Sequence, residues 1–315
     1  MSYKYNILIT GGAGYIGSSV ADYLVKKSFN VTVVDKLEYK NFPFNHLLKY
    51  KNFKFIFGNI LDKNFFNKKF ISRFDLIIPL AALVGAPLCE KKKKLATLTN
   101  LKSIEYLISK TSKKQKIIFA TSNSGYGIGE KNKFCDENSP LRPVSHYGVT
   151  KMLAEKIVVN HKNSVSFRLA TVFGYSFRMR SDLLVNNFVE LSVKKKKIQL
   201  FESNFRRNFI HIQDVCRAIE FSIKNFNRMK GQVYNLGLST ANLTKKQLAL
   251  RIKHKLPKLK ISYIKNRSDP DKRDYYVSNK KIEKLGFLPA HSLDDGIDEL
   301  IEFFKYNNFK FINNY

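Results

Sequence analysis

The stretch Ile7-Leu8-Ile9-Thr10-Gly11-Gly12-Ala13-Gly14-Tyr15-Ile16-Gly17 decides the fold of this chain of 315 residues. Its apolar beginning predicts a buried parallel strand, and apolar residues recur at helical spacing from Tyr15 to Lys27. Glycines between a strand and a helix allow a sharp turn and let the backbone approach a pyrophosphate, whose charge then lies at the helix N-terminus. The stretch therefore predicts a dinucleotide-binding strand–turn–helix unit.

Asp35 supports this interpretation, because it follows Gly14 by 21 residues and ends the next apolar run, Val31–Val34. A carboxylate at this position binds the ribose 2′-hydroxyl of a dinucleotide and repels a 2′-phosphate. We therefore expect NAD rather than NADP. The alternative is a tight structural turn followed by a surface aspartate.

Short apolar runs alternate with helical stretches along the first half of the chain. Further strands are predicted at residues 31–34, 54–57, 76–80, 116–121, 165–169 and 232–236, and helices at residues 147–160 and 214–225. This alternation predicts an α/β fold, a doubly wound Rossmann parallel sheet with right-handed crossovers. We expect residues 1–174 and 208–237 to form this domain, and residues 175–207 and 238–315 to form a smaller mixed α/β domain that binds substrate.

The net charge of +31 comes almost entirely from lysine residues spread along the chain. A nucleic-acid surface usually shows clustered basic residues, often arginine, with aromatic residues between them. Two short runs, Lys91–Lys94 and Lys194–Lys197, are typical of solvated helix ends or loops. We therefore expect no nucleic-acid partner, although the positive field would attract anionic, phosphate-bearing substrates.

Cysteine usage and hydropathy restrict the compartment. The three cysteines have no paired spacing, so we expect neither a disulfide framework nor a metal site. The longest apolar stretch, residues 76–89, has 14 residues and contains Pro79 and Pro87, and it is too short to span a bilayer. No signal peptide is visible before the first predicted strand. These features predict a cytoplasmic protein without a membrane partner.

The stretch Tyr147-Gly148-Val149-Thr150-Lys151 carries the candidate catalytic groups. Residues four apart lie on one face of a helix, and a nearby ammonium group favours the phenolate form of a tyrosine. Ser122 lies 25 residues before Tyr147, at the end of a predicted strand, and would place its hydroxyl beside the phenol. A tyrosine and a lysine at this spacing are common on ordinary helices. Together with the dinucleotide site, however, the set predicts proton transfer by Tyr147 and hydride transfer to NAD.

Other residues allow two interpretations each. Asp62 would hydrogen-bond the adenine of the cofactor or cap a helix. The small residues Ala81 and Ala82 would let the cofactor lie close to the sheet, or would serve tight packing alone. Guanidinium groups bind phosphate well, but an ion pair is an equal expectation for each arginine. The arginines in question are Arg168, Arg207 and Arg273.

These motifs together resemble the extended short-chain dehydrogenase/reductase family, which includes nucleotide-sugar epimerases, dehydratases and 4-dehydrogenases. The resemblance covers essentially the whole chain. Its motifs are the glycine stretch, Asp35, Ala81-Ala82-x-x-Gly85, Ser122 to Gly127, Tyr147-x-x-x-Lys151 and Arg207 to Val215. Three segments look like GDP-heptose 4-dehydrogenases of bacterial capsule heptose pathways, namely Ala81 to Cys89, Asn123 to Glu130 and Arg178 to Asn186.

The resemblance implies a role for each matching residue. Tyr147 would take the substrate hydroxyl proton, Lys151 would bind the nicotinamide ribose and lower the tyrosine pKa, and Ser122 would hold the reacting oxygen. The implied NAD-binding residues are Gly11, Gly14, Tyr15, Ile16, Gly17, Asp35, Ile60, Asp62, Leu80, Ala81, Ala82 and Lys151. The implied nucleotide-sugar residues are Val84, Ser122, Asn123, Ser124, Thr171, Arg180, Asn186, Arg207 and Arg273. The family also implies a homodimer, formed through the helices near residues 95–110 and 147–160.

Two departures from the family pattern narrow the expected reaction. The 4,6-dehydratases carry acidic residues after the serine or threonine position, where this chain has Asn123 and Ser124, so we do not expect dehydration. Thr171 replaces the asparagine of many UDP-hexose 4-epimerases, which counts against a UDP-hexose. We therefore expect NAD-dependent oxidation at C4 of a nucleotide-activated sugar, with GDP-heptose as the first candidate. The alternatives are a 4-epimerase, a non-catalytic NAD-binding regulator and a basic nucleic-acid binder.

Overall fold

The central feature of the computed structural model, which describes residues 5–130, 133–264 and 273–307, is a parallel sheet of seven strands. The strands of the described chain are β1 (Asn6–Thr10), β2 (Asn30–Asp35), β3 (Phe53–Phe57), β4 (Leu76–Pro79), β5 (Lys116–Ser122), β6 (Phe134–Cys135), β7 (Ser164–Leu169), β8 (Thr171–Phe173), β9 (Lys197–Leu200), β10 (Arg206–His211), β11 (Gln232–Leu236), β12 (Asn242–Thr244), β13 (Lys260–Tyr263) and β14 (Tyr276–Val277). The order in the large sheet is β3-β2-β1-β4-β5-β7-β11, and every neighbouring pair is parallel.

Helices connect and cover these strands. They are α1 (Tyr15–Lys26), α2 (Lys68–Ile71), α3 (Ala86–Lys91), α4 (Lys93–Thr97), α5 (Ser103–Lys110), α6 (His146–Asn160), α7 (Leu184–Lys195), α8 (Ile212–Lys224), α9 (Phe226–Met229), α10 (Lys245–Lys255), α11 (Lys280–Glu283) and α12 (Leu293–Tyr306). A π-helical turn, Leu98–Lys102, joins α4 to α5, and 3₁₀ turns cover Asn45–Leu47 and Asn123–Tyr126. The predicted fold class, a doubly wound parallel α/β sheet, is confirmed.

The strand order reverses next to β1, where connections lead to β2 on one side and to β4 on the other. Ile7, Leu8 and Ile9 in β1 are fully buried, because helices cover both faces of the sheet. Ligands of open parallel sheets bind in the crevice at the carboxyl ends of the strands, at such a reversal. This edge of the sheet is therefore where a site is expected.

The predicted element boundaries differ from the observed ones by a few residues. The predicted helix at 214–225 begins two residues earlier, at Ile212, because the His211 side chain caps it by accepting the Gln213 N–H at 3.4 Å. Strand β5 extends one residue further than predicted and includes Ser122. Strand β11 has the predicted bounds and pairs with β7 in the large sheet.

Three small sheets were not predicted from the sequence. They contain β12-β10-β8, β13-β9 and β14-β6. The strands β6 and β14 have only two residues each, too few to show an alternating pattern. The predicted division into two domains stays a prediction.

The two lysine runs and the cysteines lie as the sequence indicates. All residues of Lys91–Lys94 and Lys194–Lys197 are exposed, as the interpretation of solvated surface requires. Cys89, Cys135 and Cys216 are buried free thiols. Within the described ranges, no helix combines the length and the apolar character that crossing a membrane needs.

Candidate active site

A cleft of about 480 Å³ opens at the carboxyl edge of the large sheet. Segments that follow β1, β2, β4, β5 and β8 line it, so residues far apart in the sequence face one another there. The predicted site residues in its wall are Gly11, Gly14, Tyr15, Ile16, Gly17, Asp35, Ile60, Leu80, Ala81, Ala82, Val84, Ser122, Ser124, Tyr147, Lys151, Thr171, Arg180 and Arg273. The structure therefore gathers the greater part of both predicted sets into one space.

The glycine loop between β1 and α1 is closely packed. Gly11 has a φ of 70° and donates its N–H to Val34 O at 2.8 Å. A Cβ on Gly11 would lie 2.4 Å from the Cα of Ala81, and a Cβ on Gly17 would lie 2.5 Å from the Cα of Gly12. Only glycine fits at these two positions, and the close turn brings the N-terminus of α1 to the floor of the cleft. Such a helix end attracts a pyrophosphate.

The Asp35 carboxylate lies at the end of β2 and fixes this loop. Its two oxygens accept the N–H groups of Ala13 at 2.9 Å and Leu37 at 2.8 Å. Burial raises the pKa of Asp35, and these backbone N–H groups oppose the rise. The carboxylate also faces the cleft, where it suits a ribose hydroxyl. The loop, the helix end and this acid fit a dinucleotide.

Tyr147 and Lys151 lie one turn apart on α6 and face the cleft. The helix begins after Ser145, whose hydroxyl accepts the Gly148 N–H at 3.2 Å. Lys151 is 7% exposed, and its Nζ lies 4.5 Å from the centroid of the Phe119 ring. Ser122, at the end of β5, lines the same cleft, and its hydroxyl is near enough to Tyr147 to lower the pKa of the phenol. The predicted catalytic residues are thus brought together.

Burial is the largest influence on the pKa values of Tyr147 and Lys151. It raises the pKa of the Tyr147 phenol to about 12, in the same direction as the neighbouring Cys89. The charges of Arg273 and Arg180 and the hydrogen bond with Ser122 lower the Tyr147 pKa. Burial lowers the pKa of Lys151 to about 8, while Glu155 and Cys89 raise it. The tyrosine therefore needs further positive charge beside it to act as a base near neutral pH.

A chain of hydroxyls connects the tyrosine to Arg273. The Ser122 and Ser124 hydroxyl oxygens are 2.8 Å apart, and the Ser124 N–H donates to Ser122 Oγ at 3.1 Å. Arg273 Nη1 donates to Ser124 Oγ at 2.6 Å. The guanidinium thus polarises the serine pair that lies beside the phenol. Ser124 is held at the position where the dehydratase pattern has an acid.

A buried ion pair supports the group from behind. Arg168 on β7 donates to both carboxylate oxygens of Glu155 on α6, at 2.7 and 3.1 Å. It also donates to the Tyr126 hydroxyl at 3.0 Å. Glu155 follows Lys151 by one helical turn, and Tyr126 ends the 3₁₀ turn that begins after Ser122. Arg168 therefore joins the segments that carry Lys151 and Ser122. Of the two roles expected for Arg168, phosphate binding or an ion pair, the structure shows the ion pair.

Four predicted site residues lie outside the cleft wall. Asp62 accepts the N–H groups of Asn64 and Phe65 at 3.0 and 3.1 Å and so caps a turn. Arg207, 4% exposed, donates to the backbone oxygen of Arg273. Their predicted contacts with adenine and phosphate stay predictions.

The other two of these residues are fully buried polar side chains. Asn186 accepts the Gly174 N–H at 3.1 Å and donates to Arg180 O at 2.9 Å and to the Tyr15 hydroxyl at 3.4 Å. Asn123 is 1% exposed, and neither side-chain polar atom has a hydrogen-bond partner within the described residues. Their predicted contacts with the sugar nucleotide also stay predictions.

Sequence reasoning missed several residues around the cleft. Asn100, in the π-helical turn, accepts the Leu83 N–H at 2.8 Å and donates to Leu83 O at 2.9 Å and to Thr150 Oγ1 at 3.3 Å. It therefore ties the segment after β4 to α6. No sequence signal marks it. Arg178 and Tyr39 also line the cleft, and only the repeated arginines at 178 and 180 gave any hint of the first.

The cleft is rich in tyrosine, lysine, serine and arginine side chains rather than in metal ligands. Within the described ranges, no group of three or more histidine, cysteine or acidic side chains is arranged to hold a metal ion.

Comparison with known proteins gives a family and several relatives. The model of the NAD dependent epimerase/dehydratase family matches residues 7–237. A dTDP-D-glucose 4,6-dehydratase of Dictyostelium discoideum is 28% identical, over 98% of this chain and 83% of its own. A putative UDP-glucose 4-epimerase of Methanocaldococcus jannaschii is 26% identical, over 96% of this chain and 99% of its own.

Solved structures share the fold. A UDP-glucuronic acid 4-epimerase from Bacillus cereus, solved with UDP-glucuronic acid and NAD, superposes with a TM-score of 0.82. It is 24% identical to this chain, over 95% of this chain and 98% of its own.

Proposed function

The chain belongs to the NAD-dependent epimerase/dehydratase family, and from this premise we propose that it oxidises C4 of a nucleotide-activated sugar to the 4-keto sugar. The observation that carries the proposal is the Ser122–Tyr147–Lys151 group beside a dinucleotide cleft. Bound NAD supplies the hydride acceptor. The GDP-heptose 4-dehydrogenase resemblance makes GDP-heptose the first substrate to test.

The proton of the C4 hydroxyl goes to Tyr147. Ser122 holds the reacting oxygen through its hydroxyl, which is itself oriented by Ser124. The Lys151 ammonium and the Arg273 and Arg180 guanidiniums stabilise the negative charge that develops on the phenol oxygen. Fixing the sugar by its nucleotide can lower the barrier by about 7–11 kcal/mol in ideal cases.

The residues after Ser122 disfavour elimination of water. Asn123 and Ser124 have no carboxyl group, and a 4,6-dehydratase needs an acid and a base there. The relatives include dehydratases, so their overall similarity does not decide between the reactions. The two neutral residues in place of the acids support oxidation without loss of water.

A 4-epimerase is the second candidate. It is favoured by the similarity of this chain to a putative UDP-glucose 4-epimerase and to a UDP-glucuronic acid 4-epimerase. In an epimerase the keto sugar stays bound and takes the hydride back on its other face. The two candidates differ only in whether the keto sugar leaves.

The deciding experiment uses GDP-, UDP-, CDP- and dTDP-sugars, with GDP-heptose included. Products are followed by mass spectrometry, together with the absorbance of NADH. A product lighter by two hydrogens with stoichiometric NADH supports the dehydrogenase, and an isomer without net NADH supports the epimerase. Loss of water, or no reaction with any of these sugars, would contradict the proposal. Tyr147→Phe is the control, and we expect it to bind NADH but to lose turnover.

A further inference from the structure

One wall of the cleft is an irregular segment, residues 174–183, which runs from the end of β8 to the start of α7. All ten of these residues are described, and none belongs to a helix or a strand. The segment contributes Arg178, Arg180 and Leu183 to the lining of the cleft. Because regular backbone pairing does not hold the segment, its position depends on hydrogen bonds to neighbouring elements.

The start of this segment is fastened to the first residue of α1. The Tyr15 hydroxyl donates to Gly174 O at 2.7 Å, and the Ser176 hydroxyl donates to the Tyr15 backbone oxygen at 2.6 Å. Tyr15 is therefore bonded to the segment through both its side chain and its backbone. These two bonds place residues 174–176 against the helix whose N-terminus forms the floor of the dinucleotide cleft.

A single amide, that of Asn186 in the first turn of α7, bonds to the segment at two points. Asn186 is 0% exposed. Its Oδ1 accepts the Gly174 N–H at 3.1 Å, and its Nδ2 donates to Arg180 O at 2.9 Å and to the Tyr15 hydroxyl at 3.4 Å. An amide can accept and donate at the same time, whereas a leucine of similar size can do neither. Asn186 thus fixes Arg180 relative to both Gly174 and α1.

The side chain of Arg180 points from this fixed backbone into the cleft. It is 9% exposed, lines the cleft and donates to the Asp182 carboxylate through two nitrogens. Its charge lowers the pKa of Tyr147, so the guanidinium acts on the phenol across the cleft. The place of this charge in the cleft therefore depends on the bond between Arg180 O and Asn186.

We propose that Asn186 is a positioning residue for the nucleotide sugar, and that it acts through Arg180. By holding the Arg180 backbone, the buried amide keeps the guanidinium where an anionic nucleotide sugar binds. This inference rests on the proposed nucleotide-sugar site. The dinucleotide loop has separate supports, since Gly11 donates to Val34 O and Asp35 accepts the Ala13 N–H. Loss of the amide should therefore weaken binding of the sugar nucleotide and spare binding of NADH.

The test measures the two ligands separately by isothermal titration calorimetry. NADH is titrated into the free protein, and the sugar nucleotide is then titrated into the NADH complex. NADH cannot accept a hydride, so the second titration reports binding without oxidation. The probes are GDP-heptose, GDP-mannose, UDP-glucose, CDP-glucose and dTDP-glucose, and the one that binds the parent most tightly is used for the variants.

The variants are Asn186→Leu, Arg180→Met and the double variant, with Asn52→Leu as the matched control. Asn52 is also a buried amide, 7% exposed, and donates to Val25 O at 2.9 Å and to Phe29 O at 2.8 Å at the other end of α1. Its loss also leaves buried backbone oxygens without their bonds, but away from the cleft. If Asn186→Leu does not fold, Asn186→Ser is measured in its place.

We expect Asn186→Leu to raise the Kd of the sugar nucleotide about tenfold, while the Kd of NADH stays within about 3-fold of the parent. Arg180→Met should weaken sugar binding at least as much. The double variant should bind the sugar about as weakly as Arg180→Met alone, because both changes act on one contact. Asn52→Leu should lower the melting temperature without changing either Kd more than about 2-fold.

Several results would overturn the positioning role. They are unchanged sugar binding by Asn186→Leu, an equal loss of both ligands, a tenfold loss that persists when Arg180 is already methionine, or a parent that binds none of the five probes. If Arg180→Met binds no sugar, amide hydrogen exchange of Asn186→Leu decides. Faster exchange in residues 176–183 than in the parent, with unchanged exchange in residues 11–17, supports the role, and unchanged exchange in residues 176–183 excludes it. Sugar binding that depends on Asn186 without any oxidation would remove the proposed reaction and leave this inference standing.

Discussion

At the scale of single residues, the charge of Arg273 influences the pH at which Tyr147 acts as a base. This charge lowers the Tyr147 pKa, which burial raises to about 12. The base must lose its proton to work, so turnover falls as the pH drops below its apparent pKa. Arg273→Met raises that pKa and moves the loss of turnover to higher pH. In a pH profile of kcat, turnover at neutral pH should fall about tenfold for every pH unit by which the acid limb moves upward.

The companion variant is Arg273→Lys. It keeps a positive charge but lacks the fork that donates to Ser124 Oγ. We expect its acid limb to lie close to that of the parent, while its KM for the sugar nucleotide rises. An acid limb that moves equally in both variants would show that the charge is not the cause.

A substitution at Gly17 tests how closely the glycine loop packs against the start of α1. A Cβ at this position would lie 2.5 Å from the Gly12 Cα and 2.6 Å from the Gly11 oxygen, both backbone atoms that cannot rotate away. We expect Gly17→Ala to push the loop away from α1 and to weaken NADH binding by at least about tenfold, since this helix end is where the pyrophosphate is expected to bind. A Cβ on Gly286 would meet no neighbouring atom, but Gly286→Ala is not a suitable control, because a φ of 98° strains the backbone of any residue other than glycine. Gly14→Ala meets only one atom, at 3.2 Å, and should disturb the fold less.

At the scale of elements, the Glu155–Arg168 pair holds α6 against β7. Removing one partner of a buried pair leaves an uncompensated charge and typically costs about 3–5 kcal/mol. We expect Glu155→Gln to lower the free energy of unfolding by about that amount, measured by urea denaturation. It should also lower the Lys151 pKa, because Glu155 raises it.

A second variant separates charge from packing. Glu155→Gln combined with Arg168→Met removes both charges, so a large part of the lost stability should return. A double variant as unstable as Glu155→Gln, or less stable, would mean that the Tyr126 contact of Arg168 matters more than the ion pair.

The large sheet could be predicted because of how its strands are buried. Parallel strands covered on both faces appear as continuous apolar runs, as Ile7–Ile9 and residues 76–79 do. The strands of the small sheets have two to six residues and pair with segments far away in the chain, so the sequence carries little local signal for them. Strand β11, which returns to the large sheet, has the apolar residues Val233, Tyr234 and Leu236 among its five and could be predicted from them.

In the candidate site, too, residues defined by local sequence could be predicted, whereas contacts between distant segments could not. Tyr147, Lys151 and Ser122 follow from local spacing and from the end of a strand. Asn186 does not, because its partner Tyr15 is 171 residues away and the contact depends on how two segments pack. Arg178 and Tyr39 meet for the same reason. Side-chain direction across a cleft is a tertiary property that a motif does not encode.

At the scale of the whole molecule, one face of α6 lines the cleft and the opposite face is exposed at the surface. Lys151 is buried toward the cleft, while Leu153 on the other side of the helix is 36% exposed. Leu98, on the π-helical turn that packs against α6, is 40% exposed. Exposed leucines on adjoining elements suit a partner surface. Since the family resemblance implies a homodimer through these segments, this face is where a second copy is expected.

The dimer prediction can be tested by charge substitution. We expect the purified chain to sediment as a dimer and the Leu98→Glu/Leu153→Glu variant to sediment as a monomer, because four buried carboxylates would meet at a symmetric interface. Leu250→Glu is the matched control, since Leu250 is 48% exposed on α10, away from this face, and it should leave the dimer intact. A parent chain that sediments as a monomer at micromolar concentration, or a variant that remains dimeric, would place the interface elsewhere or remove it. Because α6 carries Tyr147 and Lys151, we also expect the monomeric variant to lose turnover along with its partner surface.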